Sequence, residues 1–250
     1  MAKPAKTDRK AVIEQMRKKQ KSSDRRRGAV IVTVCVLVAL GIIGAAVVPI
    51  LLDKKNDSEL DSKALDQIGS AATVCQKVTT KKADGNSQHV PVDTPVDYTT
   101  APPAFGAHWN QAGLAPASFS RKFYSTDDRP ALEALVHNLE HGYTILWYDD
   151  TIAQDKTALA DVEAISRKFG GDDFRNKFIA APWKSDDEDG AAFPDGQHVA
   201  FTHWSAGGNG ETDTSKQVGA FQYCSAVSGA ALSDFMDEYP YTDSPEPTVP

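Results

Sequence analysis

The chain has 250 residues, of which 41% are hydrophobic and 24% are charged, a composition typical of globular proteins. The net charge of −7 is unevenly distributed, because residues 1–27 carry a net charge of +8 and the rest of the chain carries −15. Binding to phosphate backbones needs a positive surface, so the acidic body argues against nucleic acid as a partner. The roughly 190 residues after residue 60 suffice for one domain with its own hydrophobic core.

An uncharged apolar segment from Gly28 to Leu52 predicts one transmembrane helix. Its length is sufficient to cross about 30 Å of hydrocarbon, and it exceeds the apolar core of a cleaved signal peptide. Arginines occupy positions 25–27 before it, whereas the charges that follow it cancel. The positive-inside rule therefore predicts a cytoplasmic N-terminus and a C-terminal domain outside the cell membrane. Residues 1–27 are predicted to be a basic, disordered cytoplasmic tail near anionic lipid, with a surface helix from Lys10 to Lys21 as the alternative.

The outer part of the chain divides into three predicted segments. Residues 53–72 form a polar stalk, residues 73–240 a globular extracytoplasmic domain, and residues 241–250 a disordered tail rich in proline and acidic residues. Closely spaced prolines between residues 91 and 103 exclude a long helix there and predict extended and loop structure.

Local periodicity predicts the elements of the domain in chain order. Apolar residues at three-and-four spacing predict helices over 129–141, 157–170 and 228–239, and short apolar runs predict strands over 143–148, 177–183 and 198–204. This order predicts an α+β or α/β fold, with a mixed sheet packed against helices and one transmembrane helix before it.

Cys75 and Cys224 are the two cysteines outside the predicted membrane segment. An even number of cysteines in an extracytoplasmic domain predicts a disulfide. In the chain-entropy model, a bond that closes a loop of this size contributes about 4–5 kcal/mol. A redox-active pair is the alternative, but there is no Cys-x-x-Cys motif, and this favours a structural bond.

All six histidines lie in the predicted outer domain, and two of them belong to the motif HNLEHG at residues 137–142. On a helix, His137 and His141 lie one turn apart on the same face, with Glu140 beside His137. Two such imidazoles can share a copper or zinc ion, and His108 and His203 are the candidate further ligands.

Two other interpretations of this motif stay open. Its His-x-x-Glu-His spacing matches that of inverted zinc peptidases, in which the glutamate is a general base, but Gly142 ends the predicted helix at the motif. In the architectural interpretation, His141 binds carbonyls at the helix C-terminus and His137 is a hydrogen-bonded core residue.

Four segments carry a family resemblance: PPAFGAHW, HNLEHGYTILWYDD, IAAPW and FMDEYPYTDSPEP. Together they resemble the family called domain of unknown function 3105, over about residues 70–245. The resemblance implies an actinobacterial protein with a basic tail, one membrane helix and an outer domain centred on residues 137–142 and His108. It implies no established activity. Ala104 and Phe105 stand where such domains often have a residue followed by serine, which puts a serine-dependent role of that loop in doubt.

The sequence therefore predicts a membrane-anchored envelope protein without enzymatic activity. Its predicted partners are the lipid bilayer and another membrane protein. The alternative function is a histidine-rich domain that binds copper or zinc and takes part in metal handling, and a zinc hydrolase is the third interpretation.

Overall fold

The structure is a computed structural model that describes residues 6–83 and 87–249. The chain divides into two units, residues 1–56 and 57–250. Residues 1–5 of the predicted cytoplasmic tail and Pro250 of the predicted C-terminal tail lie outside the described residues.

Residues 6–56, the described part of the first unit, are helical and belong to one long helix, α1. α1 is continuous from Lys6 to Ser62. It contains one stretch that is long and apolar enough to span a membrane, judged by length and composition, and none of that stretch is buried. α1 includes residues 6–27, for which the sequence predicts a disordered arm, and the first part of the predicted stalk. Neither segment contains a glycine or a proline that would interrupt a helix.

The second unit is a mixed sheet with helices on both faces, as the sequence predicts. Its strands are β1 (Thr79–Lys82), β2 (His89–Val90), β3 (His108–Trp109), β4 (Thr144–Tyr148), β5 (Phe178–Pro182), β6 (Val199–Ser205) and β7 (Val218–Cys224). Its helices are α2 (Leu132–Glu140), α3 (Asp150–Gln154), α4 (Lys156–Lys168) and α5 (Gly229–Glu238). Five strands form a sheet in the order β1–β7–β6–β4–β5, in which only β4 and β5 are parallel neighbours. β2 and β3 form a separate parallel pair.

Each face of the five-stranded sheet has its own hydrophobic core, because side chains alternate along a strand. On β4, Leu146 and Tyr148 pack on the face covered by α4 and α5. Ile145 and Trp147 pack on the opposite face, which α2 covers. The candidate functional site lies on the α2 face.

β7 is a central strand that the sequence analysis does not predict. It pairs with β1 and β6, and its last residue, Cys224, forms the predicted disulfide with Cys75. Gly219 lies within this strand, and a Cβ atom there would lie 2.6 Å from the ring of Phe105. Close packing against Phe105 therefore requires glycine at position 219. An apolar side chain at this position would have made β7 easier to recognise from the sequence.

Residues 241–249, for which the sequence predicts a disordered tail, pack against the domain. Asp243 is buried, and its carboxylate accepts hydrogen bonds from Ser205 Oγ at 2.7 Å and from the Gly208 amide at 2.8 Å. Composition suggests disorder here because it does not reveal specific polar partners that lie far away in the sequence.

Candidate metal centre

The parallel pair β2–β3 brings two histidines together. His89 is paired with His108, and Val90 with Trp109. Side chains at paired positions lie on the same side of a sheet, so the two imidazoles are neighbours, with ring centroids 4.9 Å apart. His108 is fully buried, whereas the side chain of His89 is 43% exposed. The pair therefore extends from the interior to the surface of the domain.

α2 supplies the next two groups, His137 and Glu140. The apolar residues Leu135 and Leu139 anchor this helix in the core, and the three-residue spacing of His137 and Glu140 places both on one side of it. The ring centroid of His137 lies 4.7 Å from that of His108. α2 thus presents an imidazole and a carboxylate to the β2–β3 pair.

Four side chains converge where these elements meet. His89, His108, His137 and Glu140 each offer one ligand atom, and these atoms all lie within 4.8 Å of one another. We call them the first group. Three imidazole nitrogens and one carboxylate oxygen suit zinc or copper(II). Ligands bound to zinc at 2.0–2.1 Å in a tetrahedron are about 3.4 Å apart. The separations of Glu140 Oε2 from His108 Nε2 and His89 Nε2, 3.0 and 3.6 Å, bracket that value.

Backbone carbonyls orient two of the imidazoles. Nδ1 of His108 lies 2.8 Å from the carbonyl oxygen of Gly106, and Nδ1 of His137 lies 2.7 Å from that of Trp109. A carbonyl oxygen only accepts hydrogen bonds, so each Nδ1 carries a proton and a neutral ring has its lone pair on Nε2. Metal-binding histidines are usually held by such a bond to the other ring nitrogen.

The central contact of the first group joins His108 and Glu140. His108 Nε2 and Glu140 Oε2 are 3.0 Å apart but are not aligned as a hydrogen bond, and within residues 6–83 and 87–249 neither atom has another hydrogen-bond partner. With the Nδ1 proton donated to Gly106, a neutral His108 directs a lone pair at the carboxylate. Two buried acceptors that face each other are costly unless a cation or a proton lies between them.

The electrostatic environment keeps His137 and Glu140 in the forms that bind metal ions. Burial, together with the neighbouring His108 and His141, lowers the pKa of His137 to about 4, so its imidazole is neutral at pH 7. Burial alone would raise the pKa of Glu140, but the short contact with His108 and the positive charge of the nearby histidines in their protonated forms more than offset it, so this pKa lies below its usual value. Glu140 is therefore ionised at pH 7.

A second group adjoins the first and shares Glu140 with it. Glu140, His141 and Glu246 offer ligand atoms that lie within 4.8 Å of one another. His141 Nε2 is 3.6 Å from Glu246 Oε2. The backbone amide of Glu246 donates to the carbonyl oxygen of Glu140 at 2.9 Å. This bond holds residues 241–249, the C-terminal segment, against the end of α2.

The predicted ligands are thus distributed over three places. His108 and His137 lie in the first group and His141 in the second, unlike the paired motif histidines of zinc peptidases, which hold one ion. His203 lies in neither group. Its Nδ1 and Nε2 face the carbonyl oxygens of Tyr143 and Asp243 at 3.1 and 2.8 Å. Along β6, His203 shares the face of Phe201, which packs in the core covered by α4 and α5.

Sequence patterns do not identify two residues of these groups, His89 and Glu246. His89 joins the first group only through the pairing of β2 with β3. The local signal for that pairing is weak, since each strand has only two residues. Glu246 lies in a segment whose composition suggests disorder.

A family model described as protein of unknown function (DUF3105) matches residues 89–250. The matched range includes every residue of both groups, from His89 to Glu246. No match was found among curated proteins or among solved structures.

Proposed function

The chain belongs to the DUF3105 family, and we propose that its second unit is a metal-binding domain that holds zinc or copper(II) in the first group. The observation that carries this proposal is the contact between His108 Nε2 and Glu140 Oε2, two buried atoms that face each other at 3.0 Å without a hydrogen bond. A metal ion bound to both atoms would relieve the repulsion between the lone pair of a neutral His108 and the carboxylate, and it would form two coordinate bonds.

The composition of the first group favours holding or transferring a metal ion over hydrolysis. Four protein ligands complete the tetrahedral coordination of zinc, whereas zinc hydrolases use three and keep the fourth position for water. The half-exposed ring of His89 is the ligand through which an ion would enter and leave. The domain is therefore proposed to be non-enzymatic.

We further propose that the metal-binding domain lies outside the cell membrane and is anchored by α1. The apolar stretch in α1 and the basic residues before it support a single-pass protein with a cytoplasmic N-terminus. The disulfide between Cys75 and Cys224 supports an oxidising compartment. Labelling of single cysteines with a membrane-impermeant maleimide, placed at Lys10 or at Asp195 in a Cys35→Ala background, tests this topology. Only the Asp195→Cys variant is expected to react in intact cells.

Elemental analysis of the full-length protein, purified in detergent without a histidine tag, tests metal binding. We expect at least one tightly held equivalent of zinc or copper in the wild type and its loss in His137→Ala. The matched control is His198→Ala, because His198 pairs with Asp149 at 2.8 Å and belongs to neither group. A folded wild type that takes up no metal even after loading would contradict the proposal. The first group would then be an architectural hydrogen-bonded cluster, and binding to another membrane protein, which stays a prediction of the sequence, would become the leading function.

A further inference from the structure

We propose that a second divalent metal ion binds beside the first, held by His141 and Glu246, with Glu140 as a carboxylate shared by both ions. The inference rests on the proposed function, because the shared ligand belongs to the first group. It assigns the domain a two-metal centre in which the two ions differ in their ligands. The first ion has a nitrogen-rich set, and the second has one imidazole and two carboxylates.

The position of Glu140 provides the first argument for a shared site. Its carboxylate belongs to both groups, and a carboxylate has two oxygens with which it can bridge two ions about 3.5–4 Å apart. The imidazoles on either side of it are also neighbours, since the ring centroids of His137 and His141 are 4.6 Å apart. The end of α2 and the residue that follows it thus provide one ligand for each ion and the bridge between them.

The distance between His141 and Glu246 provides the second argument. Their facing atoms, Nε2 and Oε2, are 3.6 Å apart, which exceeds the 2.7–2.9 Å of a charge-assisted hydrogen bond. Two ligands of one tetrahedral zinc ion are about 3.4 Å apart. The observed separation therefore matches ligands of a common ion better than it matches a direct ion pair.

Hydrogen bonds hold the C-terminal segment in a position that places Glu246 beside His141. The fully buried Lys177 donates from Nζ to the carbonyl oxygens of His141, Pro247 and Val249, at 2.7, 2.8 and 2.6 Å. One ammonium group thereby ties residues on the C-terminal side of Glu246 to the end of α2. The carboxylate of Glu246 stands beside His141 because its backbone is held on both sides, by Lys177 and by the Glu140 carbonyl.

The glycine after α2 leaves room for the C-terminal segment to pack against the end of the helix. Gly142 follows His141 with φ +92°, and a Cβ atom at this position would lie 2.2 Å from the carbonyl oxygen of Tyr241. Glycine is thus required both by the left-handed backbone and by the close approach of the C-terminal segment.

The two ions would differ in their access to solvent. The second has three protein ligands, one of which is the half-exposed Glu246, so it keeps a coordination position for water or for an external ligand. The first is enclosed by buried ligands except at His89. An external oxygen ligand would therefore bind to the second ion.

Titration of the full-length protein in detergent with Zn²⁺, after removal of bound metal by a chelator, tests the second site. A weak competing chelator excludes nonspecific binding. We expect two equivalents in the wild type and in Asp195→Asn, which removes an exposed carboxylate elsewhere in the domain, and one equivalent in Glu246→Gln and in His141→Ala. Glu246→Gln retains the length of the side chain and changes an exposed position, so we expect the variant to remain folded.

The outcomes separate this inference from the proposed function. One equivalent in both the wild type and Glu246→Gln overturns the second site and leaves the first intact. No binding in the wild type overturns both. Two equivalents in the wild type with Glu246→Gln unchanged would also overturn the assignment of Glu246, because the second ion would then lie elsewhere.

Discussion

His89 and His108 occupy paired positions on neighbouring strands, yet His108 is fully buried and His89 lies at the surface. If both bind metal as proposed, they would contribute differently to metal affinity and to the stability of the fold. A partly exposed ligand can be removed with little change in packing, whereas the ring of His108 fills space in the interior and faces a buried carboxylate.

We predict that His89→Ala and His108→Ala separate these two contributions. Both should weaken zinc binding, by at least about tenfold, since each removes a direct ligand. In chelator-treated protein, His89→Ala should change the free energy of unfolding by less than about 0.5 kcal/mol, whereas His108→Ala leaves a cavity in the interior and should lower it by about 2–5 kcal/mol. Urea unfolding and competition with a chromogenic chelator measure the two quantities. Equal destabilisation by both variants would contradict the different burial of the two rings.

The shifted pKa of His137 predicts acid sensitivity of the metal-free protein. Its folded-state pKa of about 4 lies below the value near 6.5 expected for an unfolded chain, so the unfolded state binds a proton first. The stability that the neutral ring contributes is thus fully present above pH 6.5 and is lost as the pH falls towards 4, by up to about 3 kcal/mol. Urea unfolding at pH 7 and pH 5 should reveal this loss, and His137→Asn should reduce it. If His137→Asn loses as much unfolding free energy between pH 7 and pH 5 as the wild type, then other groups cause the acid sensitivity.

The disulfide between Cys75 and Cys224 joins residues 149 positions apart. Replacing both cysteines with alanine should lower the free energy of unfolding by about 5 kcal/mol in the chain-entropy model, because the unfolded chain gains the freedom of an open loop. Cys35→Ala is the matched control, since Cys35 is an exposed free cysteine in α1. Urea unfolding of the two variants measures the difference. A loss below about 1 kcal/mol would indicate that the cross-link stabilises little beyond what the neighbouring strands already provide.

Lys177→Met should release the C-terminal segment. The substitution keeps an unbranched side chain but removes the donor to three carbonyls, two of which lie in that segment. We expect a loss of about 2–4 kcal/mol in unfolding free energy, given the strength of hydrogen bonds from charged donors. Limited digestion with proteinase K, followed by mass spectrometry, should cut the variant after residue 240 while the wild type resists. Lys156→Met, at an exposed position of α4, should behave like the wild type.

The elements that the sequence predicts well are those with local signals. Leu135 and Leu139 place an apolar stripe on α2, and Ile145 and Leu146 mark β4 as a strand buried on both faces. These patterns depend only on neighbouring residues, so periodicity reveals them. The positions of His137 and Glu140 on α2 follow from the same reasoning.

The elements that the sequence does not reveal depend on distant partners. β7 has a glycine where packing against Phe105 leaves no room for a side chain, and this interrupts the expected pattern. His89 acquires its place by pairing with His108, and Glu246 acquires its place through a hydrogen bond to the Glu140 backbone. No local rule connects residues that meet only in the folded domain.

The ligands of the two groups extend from residue 89 to residue 246 and come from the β2–β3 pair, from α2 and from the C-terminal segment. Contacts of such long sequence separation form late, because the intervening chain must first be brought together. A partly folded chain would offer isolated histidines with weak affinity, whereas a completed domain offers them together. Metal uptake would therefore act as a checkpoint in biogenesis, since the ion would be retained only by molecules that have finished folding.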